Sequence, residues 1–426
     1  MGSADVVVIG AGTVGASIAY ETARRGASVI VLEAGTDIGN GCSYANAGLL
    51  APSHVEPLTT PANVRAGFRY MFDADSPFHL HPAPRLAPWF ARFVKASTPS
   101  RARRLTARMQ ELAAYSTAMH ATYAESGLDT GHVASGSMDV FLTEKGFERA
   151  AAKHPPAAGV LLSANDARDR EPTLGDIAGA IWRPDEAQVG TQQFVRATLK
   201  AAEDHGAQVR WGTSARFETA GGRITGVDTA EERITADTYV VAAGMGSAAL
   251  CESVGVRMPM EGAKGYVVDT EVASAAPQIP LSFRESKVVA TPYADRLRLC
   301  GTLELGSDPR AVNARRVEAI RAAGRRGLPG VAPRRTIQTW AGLRPCTADG
   351  VPSIGRSNIV RDLVVAAGHG MWGLVLAPVT GELVARGIVE SAPTLHEAAF
   401  APDRFGHTRS ARSSHKDDLG LAPNAA

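Results

Sequence analysis

The chain has 426 residues, 45% hydrophobic and 21% charged, with a formal net charge of +2. That length predicts two domains with a large core, and so neutral a balance removes the electrostatic case for nucleic acid. Four scattered cysteines (Cys42, Cys251, Cys300, Cys346) without a CxxC pair argue against a disulfide framework or a zinc site.

The first elements are the most telling. An apolar run, Val6-Val7-Val8-Ile9, leads into Gly10-Ala11-Gly12-Thr13-Val14-Gly15, then a helical stretch to Arg25, a second apolar run (Val29–Leu32) and Glu33. This is a strand, a tight turn, a helix and a strand ending in an acid. Gly10 permits the turn, Gly12 lets a pyrophosphate approach the backbone, and Gly15 lets the helix pack on the strand. The helix N-terminus offers free N–H groups and a positive dipole end, with Val14 in its first turn. Glu33 stands where a carboxylate can accept from a ribose diol. Next comes the small-residue stretch Gly39–Leu50, with Ser43, Asn46, Ala47 and Gly48. Such a stretch lets backbone N–H groups crowd against something flat or anionic. A flavin cofactor uses it; an NAD enzyme has no obvious need for it.

These motifs resemble the D-amino acid oxidase superfamily of FAD enzymes. The Ser43-Tyr44-Ala45-Asn46-Ala47-Gly48 stretch, followed by Pro52 and His54, is especially similar to the D-amino acid dehydrogenase branch. The resemblance implies that this stretch lies along the pyrophosphate and flavin.

Residues 62–125 read as mostly helical and amphipathic, with Phe68, Met71 and Phe72 on one face and Trp89, Phe90, Phe93 and Val94 on another. A helical layer packed on a sheet is expected; the alternative around Trp89 is a lid or membrane-touching helix. Arg101, Arg103, Arg104 and Arg108 read as a solvated face. Residues 136–143 read as a strand, 178–182 as another, and 191–205 as a helix. Strands at 208–211, 223–228 and 233–236 lead to an apolar run ending in Ala242-Ala243-Gly244, which resembles the superfamily's strand beside the cofactor. Strands are predicted at 264–270, 288–292 and 297–303, and an Arg-rich helix over 312–326. Lys264-Gly265-Tyr266 resembles the start of the family's substrate-domain sheet.

The block Trp340-Ala341-Gly342-Leu343-Arg344-Pro345 resembles glycine oxidases, and Gly368-His369-Gly370-Met371-Trp372-Gly373 resembles D-amino acid dehydrogenases. Glycine oxidases carry an arginine where Met371 stands. A helix beginning near Gly373, after which comes Leu374, would aim its N-terminus at the flavin's pyrimidine end. Arg344, in a Gly-Leu-Arg-Pro turn, presents a planar fork that suits a substrate carboxylate; the alternative is that it pairs with Asp349. Tyr266, His54, His369 and Trp372 are the further candidates for the substrate pocket. No catalytic side chain beyond the flavin, and no metal, is expected.

The expected fold is α/β: a discontinuous, Rossmann-like FAD-binding domain from residues 1–64, 150–250 and 331–395. The substrate domain, α+β on a mixed sheet with helices, takes 65–149 and 251–330, and 402–426 is a disordered tail. The FAD is expected to be noncovalent. Oxidation of an amino acid's C–N bond follows from the resemblance, with oxygen, a quinone or another acceptor taking the electrons. The alternatives are an oxidase of N-substituted glycines or other secondary amino acids, an NAD dehydrogenase, and a non-catalytic flavoprotein. No apolar run reaches the about 18 residues a membrane span needs and no signal segment is evident, so the protein is expected in the cytoplasm, touching the inner face of a membrane at most peripherally.

Overall fold

The structure, a computed structural model, describes residues 2–38, 41–70, 76–155, 158–271, 276–308, 311–331, 335–392, 395 and 398–406. The Met71 and Phe72 cluster, Gly39 and Asn40, and all of the tail beyond 406 lie outside the described residues. The side chain of Phe68 does too.

Two sheets organise the chain. In the first, the strands Gln208–Arg210, Val29–Leu32, Gly2–Ile9, Arg233–Val241 and Leu363–Ala367 run parallel in that order. A parallel sheet is covered on both faces, which is why Val29–Leu32, Leu363–Ala367 and the buried ends of Gly2–Ile9 and Arg233–Val241 are apolar runs. Successive side chains alternate between faces. Val6 and Val8 pack beneath the helices Thr13–Ala23, Thr191–Asp204, Ala377–Val389 and Pro99–Glu125. Val7 and Ile9 face the antiparallel hairpin Arg216–Ala220 and Arg223–Asp228 and the helix Ser247–Ser253.

The second sheet is mixed. Its order is Thr336–Thr347, Met260–Thr270, Leu297–Leu305, Val288–Pro292, Leu281–Phe283, Ser137–Phe141, Gly179–Arg183 and Val160–Ser163. Phe78–Leu80 joins beside Leu297–Leu305. One face packs on the helix Ala314–Gly327 through Val268, Leu281, Phe283, Leu299 and Ile320. The other carries Val267, Cys300 and Trp340 against Tyr44, Ala45 and Ala47 of the glycine-rich stretch.

The expected domain boundaries need correction. Strands Val160–Ser163, Gly179–Arg183 and Thr336–Thr347 belong to the second sheet, although they fall in segments assigned to the FAD-binding domain. Conversely, the helix Pro99–Glu125 packs Leu105, Met109, Leu112 and Tyr123 onto the first sheet's core. Its arginines are not all solvated, since Arg101 is ion-paired with Asp349. Trp89 and Phe93 are buried against Ala263 and Cys346, and the Trp89 indole donates to the Cys346 carbonyl at 3.1 Å. That side of the helix Ala87–Ala96 is therefore core rather than a membrane face. The assigned tail begins in order: Pro402–Phe405 forms a short turn whose Arg404 pairs with Asp349 at 2.9 Å.

Candidate active site

The first sheet's glycine turn divides its three glycines by what a Cβ would strike. At Gly10, whose φ is +108°, it would lie 2.5 Å from the Ala242 carbonyl oxygen. At Gly15 it would lie 1.8 Å from the Gly10 carbonyl oxygen. At Gly12 it meets only the Ser43 side chain, with Oγ at 3.0 Å. The protein's backbone therefore demands the first and third glycines, while at the second a Cβ would press only on the Ser43 side chain. The N-cap of the helix Thr13–Ala23 is Gly12, which has no side chain to cap with, and the helix's own first turn holds no acid. The Ser43 hydroxyl accepts from the Thr13 amide at 3.1 Å. The Glu33 carboxylate accepts from the amides of Ala11 (2.8 Å) and Gly35 (2.9 Å), which leaves lone pairs over.

The opening continues across the chain's later motifs. A Cβ at Gly244 would meet nothing within 4 Å, one at Gly370 only Cys346 Sγ at 3.6 Å, and one at Gly373 nothing nearer than His369 Cβ at 3.7 Å. Ala243 precedes Gly244 in the turn that follows the strand. A helix N-terminus, a carboxylate and a border of open glycines fit a dinucleotide and a flat ring system. The expected helix at Gly373 starts later, at Ala377, after a single 3-10 turn over Gly370–Trp372. Leu374 is buried in the core, and Met371 is exposed.

Within the glycine-rich stretch, the Asn46 side chain shapes the loop. Its Oδ1 accepts from the Gly48 amide and the Thr191 hydroxyl, both at 2.7 Å. Gly48, at φ +67°, is required because a Cβ would lie 2.0 Å from the Tyr293 hydroxyl oxygen. The Ala47 carbonyl accepts from Thr291 Oγ1 at 2.6 Å, and the Asn46 carbonyl from Arg298 at 3.2 Å, so the second sheet clamps the loop.

Arg344 lies in the middle of the strand Thr336–Thr347, not in a turn. That strand is the edge of its sheet, which is why Pro345 is tolerated beside the arginine. Asp349 is not its partner: it is held by Arg101 at 3.1 Å and by both Nε (2.9 Å) and Nη2 (3.0 Å) of Arg404. Arg344 donates from Nη1 to the Thr302 carbonyl at 2.9 Å, and among the described residues no carboxylate pairs with it. Burial lowers its pKa, and the sulfurs of Cys300, Cys346 and Cys42 act in the opposite direction. Burial pushes the thiols of Cys300 and Cys346 up to about 12, so both are neutral at pH 7. A guanidinium remains charged under such conditions. The structure thus presents a cation in thiol-lined surroundings with no built-in anion among the described residues. Gly342, in the same strand, is filled from within: a Cβ would lie 1.9 Å from the Trp340 ring.

Several expected pocket residues are engaged elsewhere. Tyr266 is fully buried on the opposite sheet face, where its hydroxyl donates to Glu304 at 2.7 Å. Burial and the adjacent Glu304 push its phenol up. Strand alternation explains the error, because Gly265 takes the face toward Arg344 and Tyr266 must then take the other. His369 is buried with Nε2 3.1 Å from Thr380 Oγ1, and burial depresses its pKa to about 4, so it is neutral at pH 7. His54 Nε2 is 2.8 Å from Asp139 and 3.1 Å from Arg284. Burial alone would raise the Asp139 pKa, but His54, Arg284 and Arg183 outweigh it and hold the carboxyl well below the usual range. The Trp372 indole donates to the Glu56 carbonyl at 2.8 Å, which fastens the segment after the glycine-rich stretch to the 3-10 turn.

Among the residues missed from sequence, Gly265 and Thr302 touch Arg344 directly, while Arg404 and Arg101 occupy the aspartate that would have competed for it. The Lys-Gly-Tyr triplet was the available signal for Gly265; nothing local marked Thr302.

Comparison with known proteins accords with this geometry. The family DAO, described as FAD dependent oxidoreductase, matches residues 5–386. A D-amino acid dehydrogenase of Paramagnetospirillum magneticum is 31% identical over 420 residues, covering 94% of this chain and 98% of the relative. A glycine oxidase from Geobacillus kaustophilus superposes with a TM-score of 0.72 at 25% identity, covering 95% of this chain and 99% of that one. An iminodiacetate oxidase from Chelativorans sp. BNC1 shares the fold, with a TM-score of 0.70 at 24% identity over 93% of this chain and 98% of that one. With its strand–glycine turn–helix, its acid at Glu33 and a match over nearly its whole length, the chain belongs to the DAO family of FAD-dependent oxidoreductases.

Proposed function

We propose that the protein oxidises the C–N bond of an amino acid, with a D-amino acid as the first substrate class, and that Arg344 binds the substrate carboxylate. The observation that carries the reading is the Arg344 guanidinium, which faces the flavin-side loop with no carboxylate partner among the described residues. The two-point fork matches a carboxylate and fixes orientation as well as affinity. Orientation decides which face of Cα turns its hydrogen to the cofactor, and hence the stereochemical preference. FAD, when bound, supplies the hydride acceptor at N5. Gly10, Gly12, Gly15, Val14 and Glu33 would hold its nucleotide end, and Ser43–Gly48, Ala243, Gly244 and Gly370–Gly373 its flavin end. Tyr44, Ala45, Val267, Cys300 and Trp340 make an apolar wall that limits water beside the arginine. The oxidised product is an imine, which water hydrolyses to a 2-oxo acid and ammonia. Oxygen, a quinone or another acceptor then removes the electrons. Among the described residues no helix is long and apolar enough to cross a membrane; a cytoplasmic protein with at most peripheral membrane contact is part of the reading.

A second reading, oxidation of secondary amino acids such as N-substituted glycines, is favoured by the Trp340–Pro345 block and the likeness to a glycine oxidase. The product separates the two: a 2-oxo acid with ammonia, or glyoxylate or an aldehyde with an amine.

The test is a panel of D-amino acids with Arg344→Met and Arg344→Lys. On the best acid, Arg344→Met is expected to lower kcat/KM by about 10²–10³-fold, the scale of losing one partner of a desolvated charge pair. Arg344→Lys keeps charge without the fork and should fall between. Flavin content should not change. Near wild-type kcat/KM in the Met variant overturns the carboxylate role.

A further inference from the structure

Two irregular features of the second sheet meet at one guanidinium. The first is Gly265, in the strand Met260–Thr270 and directly opposite Gly342. A Cβ there would lie 2.2 Å from Arg344 Nη2, 2.3 Å from Cζ and 2.4 Å from Nη1. The Arg344 fork therefore rests on the Gly265 backbone, in the space a side chain would fill. The second is Thr302. Its φ is +67°, a left-handed conformation that a β-branched residue rarely adopts. The ladder pairs Lys264 with Glu304 and Tyr266 with Gly301, so Thr302 and Leu303 together stand opposite Gly265 in a β-bulge. The Thr302 carbonyl thereby accepts from Arg344 Nη1 at 2.9 Å, while the Leu303 amide bonds to the Pro77 carbonyl at 2.8 Å.

We propose that Gly265 and Thr302 form a built seat for Arg344, positioning residues that fix the height and rotation of its fork above the sheet; this rests on the reading of Arg344 as the carboxylate-binding group. Glycine sets the height, because any side chain would lift the guanidinium. The bulge sets the rotation, because its carbonyl takes one N–H and leaves the others for substrate. A flexible arginine becomes preorganised with no carboxylate partner among the described residues, and such a partner would compete with the substrate's carboxylate. Displacing such a group by about 1 Å is enough to cost about 100-fold in turnover.

The decisive variant is Gly265→Ala. The added methyl strikes the tip of a flexible side chain rather than backbone, so the protein is expected to fold and bind FAD with the arginine swung aside. Steady-state kinetics on D-alanine, calorimetric titration with benzoate as a carboxylate probe, flavin content and thermal melts are measured for Gly265→Ala, Arg344→Met and the double variant. The seat requires that Gly265→Ala raise KM for D-alanine and Kd for benzoate by about tenfold or more, with normal flavin content. It requires also that Gly265→Ala cost less than about twofold when added to Arg344→Met, since its target is then gone. Additive losses overturn the seat, and so does a Gly265→Ala protein with wild-type benzoate affinity; if Arg344→Met still loses activity in either case, the carboxylate reading stands alone. Should Arg344→Met itself bind benzoate as the wild type does, that reading fails and takes the seat with it. If Gly265→Ala does not fold, Gly265→Ala/Arg344→Ala removes the struck group and must fold and carry flavin; failure there shows a clash with something other than Arg344 and overturns the seat.

Discussion

Gly15, in the first turn of a helix, and Gly265, in a strand of the second sheet, are both glycine because something lies where a Cβ would be. At Gly15 the obstacle is the carbonyl of Gly10, backbone inside the same turn, at 1.8 Å. At Gly265 it is the guanidinium of Arg344, the far end of a side chain 79 positions on. Backbone cannot yield without dismantling the turn, whereas a side chain can swing away. The first glycine is therefore a condition of the fold, and the second a condition of the site's geometry. Gly12 is a third kind, where the protein opposes a Cβ only with the Ser43 side chain.

This division orders the expected effects. Gly15→Val should be the most damaging, destabilising by about 4 kcal/mol or more and giving little folded, flavin-bearing protein. Recovery of a flavin-loaded Gly15→Val enzyme with a wild-type melting curve would erase the distinction. Gly12→Val is expected to fold, since only the Ser43 side chain stands nearby, yet to bind FAD at least about tenfold more weakly. Full flavin content in the folded variant would move the pyrophosphate away from this turn. The smallest effect is expected at Thr302→Gly. A left-handed conformation costs an ordinary residue about 1–2 kcal/mol, and glycine's greater freedom when unfolded offsets about 0.5–1 kcal/mol of the relief. The variant should be more stable by up to about 1.5 kcal/mol, with a slightly higher melting temperature, and keep kcat/KM within about threefold because the bulge survives. A lower melting temperature would mean that the threonine side chain, not its carbonyl, is what the bulge preserves.

The same contrast explains how far the chain could be read before folding. The first sheet's glycine turn was legible because its requirements are local: Gly10, Gly12 and Gly15 lie within six positions, and the strand, helix and acid follow in order. Its helix at residues 191–205 and the strand at 29–32 were legible from periodicity for the same reason. Arg344 was recognisable as a residue type in a motif, but its surroundings come from four separate segments, so neither its place in a strand nor its support by Thr302 could be seen. Tyr266 went to the wrong face because a one-residue step along a strand reverses the side chain, and the triplet alone does not say which residue faces the cofactor. Domain limits failed where strands of one sheet are sewn through segments of the other. The short strands at 160–163 and 216–220 carry too little periodicity to declare themselves.

The parallel sheet joins the strand Gly2–Ile9 to Arg233–Val241, and that strand to Leu363–Ala367. The Thr13 hydroxyl donates to the carbonyl of Gly373 at 3.4 Å, across 360 positions. During synthesis the glycine turn therefore leaves the ribosome long before its neighbours exist. At about 5–20 residues per second, the nascent N-terminal strand keeps an unpaired edge for about 10–45 seconds until Arg233–Val241 is made, and that strand then waits about 5–25 seconds more for Leu363–Ala367. Such non-local closure makes folding slow. It also makes the meeting of the glycine turn with the segment at Gly373 a late event in synthesis.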